Sequence, residues 1–151
     1  MPIFHSHLDK TRTMVRDAIR GLGADPDQAE LGPDTWLLRK RSAAVVLRLI
    51  PEDAKGRAAF LQLTSPVMRL PPNAAIHERL ARFNFEMGGL ATFCVTPADE
   101  VHLTCARTIE GIDPKEIAQL LAQVAHYSDL YDDALLKEFG REHALHAGQK
   151  P

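Results

Sequence analysis

The chain has 151 residues, of which 45% are apolar and 25% charged, and its 18 basic and 20 acidic side chains leave a formal net charge of −2. This composition is typical of a soluble globular domain, and it argues against a disordered chain, a collagen or a small scaffold built on disulfides. No apolar run approaches the roughly 18 residues of a membrane span, and the near-neutral charge is not that of a nucleic-acid-binding protein.

The N-terminal residues lack the basic segment followed by an apolar stretch that marks a signal peptide. Two cysteines without an export signal favour a reducing compartment. We therefore expect one cytoplasmic domain over residues 1–151, with flexible termini at 1–7 and 141–151.

Charge is unevenly distributed along the chain. Residues 1–82 carry 13 basic and 9 acidic side chains, whereas residues 83–151 carry 5 and 11. Such a division favours docking of the two halves, pairing of subunits or attraction of a charged partner. Chance together with the local needs of helices is the simpler interpretation.

The first periodic segment predicts a helix over about residues 8–22, because its apolar side chains recur on one stripe at about 100° per residue. Arg12, Arg16 and Arg20 line the edge of this stripe at intervals of four residues. Two nearby glycines end the helix, and residues 24–34 follow as a polar connection.

Between residues 35 and 70 the pattern changes to β-branched and aliphatic runs bounded by turn residues. Strands are predicted over 35–39, 43–50 and 58–64. The turn around Lys40 to Ser42 has no Asn-Gly signature to fix its position. Three strands spaced this closely imply an antiparallel meander.

A second helix is predicted from Asn73 to Met87, with Asn73 as its N-cap and a Gly-Gly pair at its end. One side of this helix carries an apolar stripe that should face the sheet. The stripe consists of Ile76, Leu80, Phe83 and Met87.

The opposite face of the second helix is unusual for a surface helix, which normally presents charge to solvent. Four residues lie about 180° from the apolar stripe: Ala74, Glu78, Ala81 and Phe85. Two alanines and a phenylalanine suit close contact with another surface, so this face is the candidate subunit interface. The alternative is that Phe85 folds back beneath the following loop.

The C-terminal third predicts a hairpin from residues 90–95 and 101–107, followed by a long helix that ends at Gly140. Asp113-Pro114-Lys115-Glu116 is the strongest local signal in the chain, with an Asp N-cap, Pro at the first helical position and Glu of a capping box. The apolar stripe of this helix comprises Ile117, Leu120, Leu121, Val124, Ser128, Tyr131, Leu135 and Phe139.

The predicted element order is therefore α-β-β-β-α-β-β-α. A single layer of helices against one antiparallel sheet of about five strands is the simplest way to bury these stripes. The sequence thus predicts an α+β fold in one domain.

Motifs for catalysis and cofactor binding are absent from the sequence. It contains no phosphate-binding glycine loop, no Gly-x-Ser-x-Gly and no His or Cys spacing typical of zinc. We predict no catalytic residue, no cofactor and no metal site. Cys94 and Cys105 lie on the two strands of the second hairpin as diagonal neighbours at best, and the diagonal separation of about 7–8 Å exceeds disulfide reach. Both are expected to be free.

Trp36 is the only tryptophan and opens a predicted strand. Core or sheet packing is the ordinary interpretation, and an exposed anchor for a bound peptide is the alternative. Together with Arg12, Arg16 and Arg20 it forms our set of candidate partner-binding residues. Nucleic-acid binding by the three arginines is a further alternative and predicts steep salt dependence.

A function of another class is a small-molecule-binding or catalytic domain. It requires polar side chains to converge in a closed pocket near the second helix and the second hairpin. The candidates for that pocket are His77, Asn84 and His102.

The second half of the chain resembles a known family. The residues that carry this similarity are the runs Ile76-His77-Glu78-Arg79-Leu80-Ala81-Arg82-Phe83-Asn84, Gly88-Gly89-Leu90-Ala91-Thr92-Phe93-Cys94-Val95 and Val101-His102-Leu103-Thr104, and then the capped helix. This succession resembles the YbjN-type family of bacterial sensory transduction regulators, which share a fold with type III secretion chaperones. The similarity covers about residues 10–140 as element order and is closer over 76–135.

The resemblance implies a non-enzymatic module that, like its relatives, is commonly a homodimer and binds a segment of a partner protein. From charge and composition we expect neither nucleic acid nor a membrane as its partner. Secretion chaperones hold unfolded or extended segments along their surface. In those chaperones the second long helix helps to form the dimer contact. That contact would fall on Ala74, Glu78, Ala81 and Phe85 of this chain.

Overall fold

The computed structural model describes the backbone of residues 2–145 and the side chains of residues 7–145. Four helices and six strands make up this part of the chain. The helices are α1 (Pro2–Gly21), α2 (Pro26–Ala29), α3 (Ala75–Met87) and α4 (Pro114–Phe139). The strands are β1 (Glu30–Gly32), β2 (Thr35–Lys40), β3 (Ala43–Ile50), β4 (Phe60–Arg69), β5 (Thr92–Val95) and β6 (Glu100–Thr108).

The strands form one antiparallel sheet in the order β1-β2-β3-β4-β6-β5. The predicted α+β class, the meander and the second hairpin are therefore confirmed. The sixth strand, β1, falls in the predicted polar connection, where Glu30 pairs with Trp36. Three residues are too few to show the alternating pattern by which a strand is recognised from sequence.

The one-turn helix α2 also lies in the predicted connection. The Asp25 carboxylate caps it by accepting a hydrogen bond from the Asp27 N–H, and Pro26 opens the helix. This is ordinary N-terminal capping chemistry. Four residues, however, make only about one helical turn, so an apolar stripe has no room to repeat.

Strand β4 continues to Arg69, beyond the predicted end at Thr64. The extension includes Pro66, which has no backbone N–H to donate to the ladder. The structure accommodates it at an irregularity, since the register between β4 and β6 shifts between Pro66 and Met68. Bulges of this kind are where sheets tolerate proline.

The helices pack on one face of the sheet over two hydrophobic clusters. The first cluster lies between α1, the N-terminal half of α4 and strands β2 to β4. The second lies between α3, the C-terminal half of α4 and strands β4 to β6. All four residues of the stripe predicted for α3 are buried, as are Ile117, Leu121, Val124, Ser128, Tyr131 and Leu135 of α4. Among the helices described, none combines the length and apolar character needed to cross a bilayer.

The N-terminus of α4 forms as the sequence predicts. The Asp113 carboxylate accepts a hydrogen bond of 2.7 Å from the Glu116 N–H. The Glu116 carboxylate forms an ion pair with Arg107 of β6. The cap therefore also connects the long helix to the sheet.

The described chain carries secondary structure close to both of its ends. Helix α1 begins at Pro2, and Arg141–His143 form a 3₁₀ turn after α4. Ala144 then makes a β-bridge to Met68, and Leu145 is only 8% exposed. The bridge forms beyond Thr64, where β3 no longer pairs with β4. Residues 146–151 lie outside the described chain.

A buried pair of serines links α4 to the centre of the sheet. Ser128 Oγ lies 3.0 Å from Ser65 Oγ, and both side chains are inaccessible to solvent. A buried hydroxyl without a partner costs about 1–3 kcal/mol.

We expect Ser128→Ala to lower the free energy of unfolding by about 1–3 kcal/mol, because it leaves the Ser65 hydroxyl buried and unpaired. Urea denaturation monitored by circular dichroism measures this change. The double variant Ser65→Ala/Ser128→Ala removes both hydroxyls and should be more stable than Ser128→Ala alone. Simple addition of the two single effects would contradict the pairing.

Candidate interaction surfaces

The outer face of α3 presents the most exposed large apolar side chain of the described chain. Phe85 is 88% exposed, and Ala74, Glu78 and Ala81 are also exposed. The alternative in which Phe85 folds back beneath the following loop is therefore wrong. Glu78 accepts a hydrogen bond of 2.8 Å from Arg82 one turn later. The face thus combines an aromatic ring, two alanines and a local ion pair.

A second surface is a small groove where the end of α1 meets the β2–β3 hairpin. The groove has a volume of about 150 Å³. Leu22, at the end of α1, is 47% exposed above it. The lining residues are Leu22, Ala24, Leu38, Arg39, Lys40, Val45 and Leu121.

A strand edge runs alongside this groove. In its register with β2, strand β1 reaches only Thr35 and Trp36, whereas β3 pairs with β2 over its full length to Lys40. Residues 37–40 therefore have a strand neighbour on the β3 side only. An edge of this kind is a template for strand addition.

The rim of the groove is basic. Arg39 and Lys40 line it, and Arg41 follows in the turn with a φ of 56°. The turn predicted around Lys40 to Ser42 is thus placed at Arg41 and Ser42. The Ser42 hydroxyl donates a 2.5 Å hydrogen bond to Asp129 of α4, which ties the hairpin to the helix layer.

The sequence does not predict this groove, because its periodicity places Leu22 on the buried stripe of the first helix. The helix ends at Gly21, and Leu22 lies in the turn that follows it. The glycines on either side of Leu22 were the available signal, since a residue after a helix terminus leaves the helical stripe.

Trp36 packs in the first hydrophobic cluster at 1% exposure. Its interpretation as a core residue is confirmed, and the alternative of an exposed peptide anchor is wrong. Trp36 follows the inward alternation of β2, which places residues 36 and 38 on the face covered by the helices.

The three arginines of α1 are engaged in ion pairs within the chain. Arg12 binds both carboxylate oxygens of Asp34, and Arg16 pairs with Asp27. Arg20 pairs with Asp17 at 3.0 Å. Arg12 and Arg16 thereby hold the segment containing α2 and β1 against α1.

These ion pairs also account for local pKa shifts. The hydrogen bond to Asp34 raises the pKa of Arg12, and the bond from Arg16 lowers the pKa of Asp27. Both pairs are at least partly exposed to solvent, so their contribution to stability is small. The sequence shows that the arginines share a helix face, but it does not show that an acidic segment folds back over two of them.

The sheet face opposite the helices forms a broad open groove of about 490 Å³. Val46, Arg48, Thr64 and Thr104 lie along it, with Cys94 and His102 as a cross-strand pair at one side. Burial lowers the pKa of His102, so the imidazole is neutral at pH 7.

The residues proposed for a closed polar pocket do not converge. His77 is exposed on α3, whereas His102 lies in the open groove on the other face of the sheet. Asn84 uses its side-chain amide to bind the backbone of Phe93. Among the residues described there is also no cluster of three His, Cys, Asp or Glu suited to a metal ion.

The two cysteines are free, and they are farther apart than diagonal neighbours on one face. Cys94 lies opposite His102 in the open groove, whereas Cys105 packs against the first hydrophobic cluster on the helix face. Burial raises the pKa of Cys94 and raises that of Cys105 to about 11. Neither thiol is activated as a nucleophile.

Comparison with known protein families assigns this chain to one of them. The family YbjN, described as "Putative bacterial sensory transduction regulator", matches residues 11–137. The chain belongs to the YbjN family. No curated protein matches the sequence.

Chains of type III secretion complexes share the fold of this YbjN protein. A chain of the HopA1–SchA chaperone–effector complex has a TM-score of 0.63 at 15% identity, covering 85% of this chain and 97% of its own length. For the ExsC–ExsE complex the TM-score is 0.62 at 17% identity, with 84% and 94% covered. For the Yersinia pestis chaperone SycH with a fragment of YscM2 it is 0.56 at 14%, with 78% and 96% covered. The expected secretion-chaperone-like fold is confirmed.

We expect alkylation of Cys105 by iodoacetamide at pH 8 to be slower in the folded protein than in urea by on the order of 100-fold, because a buried thiol with a pKa of about 11 is almost entirely protonated. The rate should rise about tenfold per pH unit up to that pKa. Peptide mass spectrometry on a Cys94→Ser background measures it. A rate that levels off near pH 9 would contradict the assignment.

Proposed function

We propose that this YbjN protein is a non-enzymatic interaction module, chaperone-like or regulatory, that works as a cytoplasmic homodimer and binds an extended segment of a partner protein. The exposure of Phe85 on α3 is the observation that best supports the proposed dimer contact. The fold shared with chains of chaperone–effector complexes supports the proposal that the protein binds a partner protein. Two free cysteines suit a reducing compartment.

The proposed dimer contact is formed by the outer face of α3 from two copies about a two-fold axis. In such an isologous contact each residue serves twice, so two Phe85 rings would be buried. Full burial of a phenylalanine side chain is worth about 1.5–3 kcal/mol. Ala74 and Ala81 leave room for the helices to approach closely. Glu78 and Arg82 lie beside the ring, where they can also pair across the axis.

The proposed site for the partner segment is the groove beside residues 37–40. An extended peptide that pairs with this edge gains main-chain hydrogen bonds, and its alternate side chains give specificity. A volume of about 150 Å³ suits one aliphatic side chain against Leu22 and Leu38. The basic rim favours acidic residues in the flanking part of the segment.

The absence of enzymatic activity is part of this proposal. The chain's family and its structural neighbours are regulators and chaperones. The candidate polar residues His77, Asn84 and His102 lie on different surfaces or are occupied by backbone groups, so they provide no common site for a reacting molecule.

We expect Phe85→Asp to convert a dimer into a monomer, since it would place a carboxylate at the centre of the apolar contact. Sedimentation velocity at micromolar concentrations measures the mass. Leu130→Asp is the matched control, because Leu130 is also an exposed apolar residue, 53% accessible, but lies on α4. A Phe85→Asp protein that keeps the wild-type dimer mass would refute this interface.

We expect Leu22→Asp to abolish capture of the partner protein without changing the oligomeric state. The wild-type protein, Leu22→Asp and Leu130→Asp are used as baits in extracts of the native host, and bound proteins are identified by mass spectrometry. A protein captured by the wild type and by Leu130→Asp but not by Leu22→Asp supports the groove as the binding site for the partner segment. Equal capture by all three baits places the partner elsewhere.

A further inference from the structure

Strand β5 is the outermost strand at one end of the sheet. It has four residues, Thr92–Val95, and its registered strand neighbour is β6. The backbone groups on its other side therefore form an edge that another chain could pair with. Thr92 and Val95 are both exposed at this edge.

The side chain of Asn84 occupies the middle of that edge. Its Oδ1 accepts a hydrogen bond of 2.7 Å from the Phe93 N–H, and its Nδ2 lies 3.4 Å from the Phe93 carbonyl oxygen as donor. In an antiparallel strand the N–H and C=O of one residue point to the same side. Since both groups of Phe93 bind Asn84, both point away from β6.

An asparagine side chain carries the same donor and acceptor groups as a peptide unit. Asn84 therefore takes the place that a residue of an adjoining strand would occupy opposite Phe93. The Phe93 N–H and C=O are both hydrogen-bonded to Asn84. A strand that approached β5 would therefore meet no free donor or acceptor at the central outward position of β5.

The packing of α3 fixes Asn84 in this position. The preceding residue, Phe83, is buried, and its ring lies 6.1 Å from that of Phe93 and 4.3 Å from that of Tyr131 on α4. The next residue, Phe85, points to solvent. Phe83, Asn84 and Phe85 thus lie in the core, at the edge of β5 and on the outer face of α3, in that order.

We propose that Asn84 is a specificity-determining residue that closes the β5 edge to strand pairing. The occupant that it excludes is β5 of a second copy, which would pair antiparallel about Phe93. The edge beside residues 37–40 is then left for the partner segment. That last consequence rests on the proposed function, whereas the closure of β5 does not.

The test uses Asn84→Leu in the full chain, because leucine has a similar size but cannot form either hydrogen bond. Exchange of the Phe93 amide hydrogen should become roughly fivefold faster. In sedimentation velocity a species of twice the wild-type mass should appear as concentration rises. Asn84→Asp keeps an acceptor for the Phe93 N–H and adds a charge, so it should keep the wild-type mass.

Two further variants separate edge pairing from loss of structure. Thr92→Lys, combined with Asn84→Leu, places a charge on the opened edge and should restore the wild-type mass without restoring slow exchange. The extra association should also persist in Phe85→Asp/Asn84→Leu, which distinguishes it from the α3 dimer. Should Asn84→Leu fail to fold, Asn84→Ser, with a side chain too short to reach Phe93, serves instead.

The inference is overturned if Asn84→Leu keeps the wild-type mass as concentration rises, whether or not exchange at Phe93 becomes faster. It is also overturned if the added association survives Thr92→Lys, because the contact would then lie elsewhere on the molecule.

Discussion

The long helix α4 holds both halves of the core together. Its first turns pack with α1 against β2 to β4, and its last turns pack with α3 against β4 to β6. Between the two clusters the Ser128 hydroxyl meets Ser65 at the centre of the sheet. Because one rigid helix spans both clusters, α1 and α3 are fixed relative to each other through it. Phe83 of α3 packs against Tyr131 of α4 and Phe93 of β5, and its neighbour Phe85 points to solvent.

An open antiparallel sheet has unpaired backbone N–H and C=O groups along its edges. The edges of this sheet differ in how far other parts of the chain cover them. The β5 edge is met by Asn84, and the free part of β4 beyond its bulge is met by Ala144 from the C-terminal segment. At the other end, β1 covers only the first two residues of β2. The uncovered part of β2 lies next to an apolar groove with a basic rim. An edge left open beside a side-chain pocket is the arrangement that strand-adding peptides use.

Sequence reasoning succeeded where a pattern repeats over several turns or strands. The stripe of α3, the cap at Asp113 and the second hairpin all have periods or capping residues that identify them locally. It failed where a short segment depends on a distant one: β1 exists because β2 lies beside it, and the bridge from Ala144 exists because β4 offers an edge. The roles of Arg12 and Arg16 were missed for the same reason, since Asp34 and Asp27 reach them only after the chain folds back. Asn84 appeared as a candidate polar residue, but its partner is a backbone group, which no side-chain pattern reveals.

The structure shows which of the unevenly distributed charges form ion pairs within one half of the chain and which form them between the halves. The three arginines of α1 are balanced by carboxylates of the same half, and Arg82 is balanced by Glu78. Arg79 pairs with Glu138 across the two halves, at the solvent-exposed side of α3 and α4. Exposed pairs of this kind contribute little to stability, so docking of the halves rests on the apolar clusters that α4 joins. The basic segment from Arg39 to Arg41 lies at the rim of the groove rather than between the halves, and there its field acts on whatever approaches the β2 edge. For the proposed partner segment, this field would favour acidic residues over basic ones before any strand pairing begins.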